Sequence, residues 1–331
     1  FGTAFGMGLL VIVFMMGQGF FAEPIIGLVG ACVGCMTSTR LMQRAVLKSY
    51  PHFANEQACE ESFEEQEEQK VEDKSLFIRI LNSLLDGGRM GVEVGFIGKV
   101  GEDTTGDFYI QALTNLSIEP CIFRGQEKSG KCVSLVSADG ERTMVTYLGA
   151  ALEMKAHEIL PTIFDGYDCL YVEGYLVQDH ELIRSAMQTA KACGLKVAID
   201  LASFNVVAEN LEFLRRLVSE YVDIVFANED EARVFSGEEE PINALQYISE
   251  LCELTVVKIG MKGALIKQGE QVVHVGIMAA AKRVDTTGAG DFYAAGFLAG
   301  MCRGLSLRQC GTIGAIAAGK VIEVVGTTFD E

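Results

Sequence analysis

From Cys169 onward, short apolar runs alternate with longer stretches of helical period. Residues 169–172, 196–199, 223–227 and 255–259 read as strands, because apolar runs without polar alternation suit strands buried on both faces. Asp179 is placed to cap a helix whose Leu182, Ile183, Ala186, Met187 and Ala190 share one face, and Gly194 is placed to stop it. Further helices fall at about 211–218 and 242–252. This alternation predicts an α/β fold with a mostly parallel central sheet and helices on both faces. Ligands in such sheets sit at the carboxyl ends of the strands, where Glu173, Asp200, Asn228 and Gly260 fall.

The earlier half is less regular. Glu23 is the only charge in the first 36 residues, and residues 9–16 form a continuous apolar run. Gly6, Gly8, Gly17, Gly19, Gly27, Gly30 and Gly34 interrupt the segment too often for a comfortable helix, so buried strands with turns are expected there. A membrane span would need about 20 apolar residues, and a signal peptide a basic leader. Residues 56–74 are dense in Glu and Gln and read as a solvated helix or insertion, 76–85 as a helix ending at Gly87 and Gly88, and 92–100 as a strand. Residues 133–136 and 143–147 flank Asp139-Gly140, a hairpin signal that suggests a small β-sheet lid, with lid segments at about 9–36 and 118–148. No internal repeat or Pro-rich linker divides the chain, so 1–331 is expected to be a single domain.

A net charge of −18 argues against a nucleic-acid partner, which needs clustered Lys and Arg, and suits a small-molecule enzyme. Of ten cysteines only Cys32 and Cys35 form a C-x-x-C pair, with no second pair or nearby His to complete a zinc site. Reduced thiols in a cytoplasmic protein are the simpler expectation. Residues 125–132, GQEKSGKC, imitate a phosphate-binding P-loop but end in Cys132, which has no hydroxyl for magnesium, and lead into a hairpin instead of a helix.

Residues 284–296 read VDTTGAGDFYAAG: an extended entry, a Gly-Ala-Gly turn, and a helix whose first acid is Asp291. Unpaired N–H groups at a helix start attract phosphate oxygens, and glycines let the backbone approach them. A carboxylate there is placed to take a proton from an attacking hydroxyl. The run also fits a plain strand-turn-helix corner in which Gly288 and Gly290 serve geometry and Asp291 caps the helix.

Taken whole, 284–296 resembles the C-terminal signature of the ribokinase-like, or PfkB, family of carbohydrate and nucleoside kinases. GFIGKVGEDTTGDFY (95–109) resembles the family's early strand and turn, and SGKCVSLVSADGERTMVTYLGAA (129–151) its hairpin lid. NEDE (228–231) resembles its N-x-x-E motif, and KIGMKGA (258–264) the strand and turn that pass under the nucleotide. The resemblance implies a ribokinase-like fold and ATP-dependent phosphorylation of a primary hydroxyl of a sugar. A nucleoside kinase or a degenerate nucleotide-binding paralogue are the alternatives. It implies Asp291 as base and the N–H groups of Gly288, Ala289 and Gly290 as the anion hole. Asn228 and Glu231 would arrange Mg2+ and the phosphates through water. Gly260 and Gly263 would admit the nucleotide, with Lys258 and Lys262 as candidate phosphate contacts. Carbonyls near Asp285 and Thr287 and at 324–326 would hold a monovalent cation such as K+.

The substrate half departs from the family pattern. Gly6-Met7-Gly8 is followed by LLVIVFMM, without the family's early Asp. Asn82 falls where the Asn of a G-G-x-x-x-N turn would stand, but Phe77 and Ile78 replace the glycines. Glu173 remains a candidate hydroxyl acceptor, and equally an ion-pair partner. Lid edges in this fold can pair across a dimer, so fold analogy suggests a homodimer.

Overall fold

Strands that are apolar on both faces take the centre of the molecule, and the computed structural model describes this through residues 3–5, 10–16, 25–29, 92–115, 118–136, 142–278, 283–284, 286 and 288–323. In chain order the elements begin with β1 (Thr3–Phe5), β2 (Leu10–Met16), β3 (Ile25–Val29), β4 (Val92–Gly101), α1 (Thr104–Asn115), β5 (Ile118–Gly125), β6 (Lys131–Val136) and β7 (Arg142–Tyr147). Short 3-10 turns then lead to β8 (Cys169–Glu173), α2 (His180–Ala192), β9 (Lys196–Asp200), α3 (Phe204–Glu209), α4 (Leu211–Tyr221) and β10 (Ile224–Asn228). The chain continues through α5 (Glu229–Ser236), α6 (Pro241–Ile248), β11 (Leu254–Lys258), β12 (Ala264–Gln268), β13 (Gln271–Val275), α7 (Ala289–Met301) and α8 (Leu307–Val321).

Ten strands form one sheet in the order β13-β12-β11-β10-β9-β8-β2-β3-β4-β5. The run β8 to β11 is parallel, as are β3–β4, β4–β5 and β3–β8. Among the described residues of this sheet, antiparallel pairing is confined to β2 and to the β11-β12-β13 edge. Successive strand residues bury on opposite faces, which is why these strands read as unbroken apolar runs. Leu170, Val172, Val197, Ile199, Val225 and Val257 join a core with α2 to α6, while Tyr171, Ala198, Phe226 and Val256 join a second core with α1, α7 and α8.

Local signals act as expected over 169–259. Asp179 caps α2 by accepting from the Leu182 N–H at 2.9 Å, and all five residues of the anticipated apolar face are buried. Gly194 follows in a left-handed conformation (φ 88°). The helix expected over 242–252 ends at Ile248, because Leu251 and Cys252 continue its apolar pattern from a turn packed on the same core.

The small sheet is composed differently from the lid expected at 9–36 and 118–148. It comprises β1, β6 and β7, whereas β2, β3 and β5 pair into the large sheet. The run LVIVFMM of β2 suits a sheet interior, and β5 pairs along its whole length with β4, from Val94↔Ile118 to Gly101↔Gly125. Residues 125–132 pass from the end of β5 into β6, so no helix follows and the P-loop imitation has none of the required geometry. Residues 56–74 and 76–85, Cys32 and Cys35, and Asp139-Gly140 lie outside the described residues. Among the described residues no helix is long and apolar enough to cross a membrane.

Candidate active site

Each of the four parallel strands β8 to β11 ends on a polar residue: Glu173, Asp200, Asn228 and Lys258. Parallel strands point their carboxyl ends the same way, so these residues gather at one edge of the sheet. Asp200 and Lys258 meet across the intervening β10, with Lys258 Nζ donating to Asp200 Oδ2 at 2.6 Å. The carboxylate is held at its other oxygen too, since Oδ1 accepts from the Ala202 N–H at 3.1 Å. Ala202 adopts a left-handed conformation (φ 66°), which is uncommon for a residue with a Cβ. A Cβ at Gly174 would stand 2.7 Å from the Asp200 carbonyl oxygen and 2.8 Å from that of Leu201, so the two strand ends can close up only over a glycine.

Asn228 and Glu231 lock into a reciprocal cap at the start of α5. The Asn228 side-chain oxygen accepts from the Glu231 N–H at 2.9 Å, and Glu231 Oε2 accepts from the Asn228 N–H at 2.8 Å. Asn228 Nδ2 also donates to Glu231 Oε1 at 2.6 Å. Such a box satisfies amides that the helix start would leave orphaned, and here it fixes a buried carboxylate beside the Asp200–Lys258 pair.

The start of α7 supplies the opposing wall. The Val284 N–H donates to the Ile322 carbonyl at 2.7 Å, which ties the extended entry to the end of α8. Gly288 then turns the chain with φ 76°, and the first intrahelical bond runs from Phe292 N–H to the Gly288 carbonyl at 2.9 Å. The Ala289 N–H donates to the Thr286 carbonyl at 3.2 Å, so one of the three expected cradle amides already has a partner. A Cβ at Gly290 would lie 3.1 Å from Lys258 Nζ, which places the ammonium directly against this turn. Asp291 follows in the first helical turn and is open to solvent, not turned into the core.

Glu173, Asp200, Glu231 and Asp291 therefore share one ammonium. Burial, then the charges of Asp291 and Asp200, push Glu173 well above the usual carboxylate range against the opposing pull of Lys258. Glu231 is pushed up to about 7 by burial and by Asp200. Asp291 is accessible to solvent yet ringed by protein, and this crowding together with Asp200 pushes it up to about 6 while Lys258 pulls the other way. Burial alone would lower the Lys258 ammonium, but Asp200 and Glu231 outweigh it and hold the pKa above its ordinary value. A site with this surplus of carboxylates is short of positive charge, as a centre completed by a cation would be.

The other expected site residues are more scattered. Gly260 (φ 54°) sits beside the start of α5, its open side 3.8 Å from Glu229 Oε2. Lys262 is exposed on the same turn, and its carbonyl bonds the His274 ring at 2.7 Å. Gly263 is demanded by the sheet, because a Cβ there would stand 2.0 Å from the Val275 carbonyl oxygen. Asn82, Asp285, Thr287 and residues 324–326 lie outside the described residues. Asp200 was visible as a strand-end residue without a role. Its partnership with Lys258 spans three strands and leaves no local trace, although a charge closing the apolar run 197–199 is itself a signal. A cavity of about 360 Å3 lined by Lys191, Tyr221, Asp223, Leu251 and Cys252 lies at the amino ends of β10 and β11, away from this chemistry.

Residues 81–331 match the model of the pfkB family of carbohydrate kinases. The chain belongs to that family. It is similar to a ribokinase of Arabidopsis thaliana, 30% identical over 264 residues that cover 74% of this chain and 66% of the relative. An uncharacterized sugar kinase of Archaeoglobus fulgidus is 27% identical over 244 residues, covering 72% of this chain and 94% of the relative. Among solved structures, the adenosine kinase from Sinorhizobium meliloti superposes with a TM-score of 0.69 at 31% identity, covering 77% of this chain and 78% of that one. The fold of this pfkB-family kinase is thus ribokinase-like, and its relatives act on sugars and on nucleosides.

Proposed function

We propose that the protein transfers the γ-phosphoryl group of ATP to a primary hydroxyl of a sugar, with Asp291 as the general base. The observation that carries this reading is the position of Asp291: solvent-accessible, in the first turn of a helix entered through Gly288-Ala289-Gly290, and facing the carboxyl ends of β8 to β11. A base whose pKa lies near 6 is ionised at neutral pH yet still basic enough to accept a proton from an attacking hydroxyl. The N–H groups at this helix start, with the macrodipole behind them, would hold the terminal phosphate oxygens where charge develops.

The surplus of carboxylates fits a divalent cation. Among the described residues no three His, Cys, Asp or Glu side chains converge as direct ligands. Asn228 and Glu231 would accordingly hold Mg2+ through its retained water, as this small, reluctantly dehydrated ion prefers. When bound, Mg2+ neutralises charge on the phosphate oxygens. Glu173, at the end of β8, would bond a hydroxyl of the acceptor.

An acceptor screen tests the reading: ADP release from Mg-ATP is measured with ribose, other sugars and adenosine. Phosphorylation of a sugar supports it, turnover with adenosine alone moves the acceptor class to nucleosides, and ATP binding without turnover on any acceptor points to a degenerate paralogue. Asp291→Asn should bind ATP as before and lose about 10²- to 10⁴-fold in turnover, the usual worth of a general base. Near-full turnover in that variant would remove Asp291 from the role.

A further inference from the structure

The Asp200–Lys258 pair is built more tightly than an ordinary ion pair, and its position relative to the helix start gives it a task. Asp200 is buried, and neither of its carboxylate oxygens is idle: one holds the Ala202 N–H and the other holds Lys258 Nζ. The backbone that carries it is fixed as well. Ala202 is kept at positive φ, and the Asp200 and Leu201 carbonyls press on Gly174 with no room for a Cβ between them. A carboxylate so anchored sets where the ammonium stands, and it stands 3.1 Å from the position a Cβ of Gly290 would take. The lysine itself has a flexible four-carbon stem and no geometric preference of its own, so its placement must come from a partner.

We propose that Asp200 is a positioning residue acting through Lys258: it pins the ammonium beneath Gly290, giving the floor of the phosphate cradle a fixed positive charge that serves the terminal phosphate of a nucleoside triphosphate. Gly290 is then glycine for a reason beyond backbone freedom, since a Cβ there would press on the ammonium and oblige it to give by a few tenths of an ångström. This rests on the proposed kinase reading for what the cradle binds, and it adds that discrimination between triphosphate and diphosphate depends on a pair two strands apart.

The experiment needs no acceptor. Calorimetry compares the binding of Mg-AMP-PNP and of Mg-ADP to the full chain and to its Lys258→Met, Asp200→Asn, Gly290→Ala and Lys258→Arg variants. Lys258→Met should lose about tenfold or more in affinity for the triphosphate analogue while ADP binding changes less than about twofold, because only the terminal phosphate loses a charge-assisted contact. Asp200→Asn is the sharper case. It removes a negative charge from an acidic site, so simple electrostatics predicts tighter triphosphate binding, whereas loss of positioning predicts weaker. Gly290→Ala should copy the selective loss, and Lys258→Arg should keep part of the affinity. Equal losses for both nucleotides, or tighter AMP-PNP binding by Asp200→Asn, would overturn the positioning role. Failure of the unaltered chain to bind either nucleotide would instead overturn the kinase reading beneath it.

Discussion

Glu231 lets the electrostatics of the site be read from stability alone. Its carboxylate is 2% exposed, and burial with the charges of Asp200 and Asp291 raises it from an ordinary 4.5 to about 7. A raised carboxyl pKa means that the folded state keeps a proton the unfolded chain has released. Stability is therefore greatest below the unfolded value and is lost as pH climbs through the folded one. At 1.36 kcal/mol for each pH unit separating the two values, Glu231 should withdraw on the order of 3 kcal/mol between pH 5 and 8. Glu173 and Asp291 act with the same sign. Glu158, whose Lys99 partner holds it below the usual range despite partial burial, loses its contribution only at lower pH, and Lys258 stays charged throughout. Buried thiols such as Cys169 act above pH 8, outside this window. The assay is urea denaturation followed by circular dichroism at pH 5, 6, 7 and 8 in EDTA. The same free energy corresponds to a fall of about 4 °C in the melting midpoint for a chain of this length. Glu231→Gln should flatten the slope. Stability that is flat or rising from pH 5 to 8, or a slope unchanged in Glu231→Gln, would refute the picture of a crowded, cation-deficient site.

Two further outcomes are expected. If Asp291 is the base, log kcat/KM for the acceptor should fall with a slope of about one below pH 6 and level off above it, since the ionised form is the active one; a profile flat from pH 5 to 8 would contradict this. Tyr293 is buried between α7 and α8 and its hydroxyl has no hydrogen-bond partner among the described residues, so Tyr293→Phe should keep or raise stability by about 1 kcal/mol in urea, and a comparable loss would reveal a bonded hydroxyl.

The fold was most legible where the sheet has the same burial throughout. Between 169 and 259 the strands are covered on both faces and α2 on one, so apolar runs and a helical stripe translate directly into elements. Helix α7 was legible only as the sequel to a motif, because it is enclosed on nearly all sides and a helix without a polar face has no period to detect. Helix α8 was not read from the sequence although Arg308, Gln309, Thr312 and Lys320 give it an exposed face, because its buried side is built largely of Gly and Ala and makes a weak apolar stripe. They approach through glycines instead: a Cβ at Gly296 would stand 3.0 Å from the Gly314 Cα, and one at Gly300 3.0 Å from the Cys310 Cα. Ser306 and Gln309 form a capping box at the start of α8, a local signal that the residues did carry. Within the site, the glycine turn before Asp291 and the Asn228–Glu231 box were visible because each is made by neighbours in sequence. The Asp200–Lys258 pair joins residues 58 positions apart, and only the sheet order brings them together.

That sheet order also separates the two acids that face the acceptor side. Glu173 is partly buried and its pKa lies well above the carboxylate range, pushed up first by burial and then by the charge of Asp291. Asp291 is the more open of the two, and its lower pKa of about 6 makes it the first to ionise. When two neighbouring carboxyls differ in environment, the sheltered one keeps the shared proton and the accessible one becomes the base. On the proposed function, a protonated Glu173 can both donate to and accept from a sugar hydroxyl, whereas an ionised one could only accept. Glu173→Gln preserves that donor and acceptor pair and removes the titration. It should therefore retain acceptor binding and leave the Asp291 limb of the pH profile in place, because a Glu173 that keeps its proton carries no charge to oppose that ionisation. Loss of acceptor affinity in Glu173→Gln, with that limb shifted downward, would mean that Glu173 binds as an anion and that the assignment of the two acids is reversed.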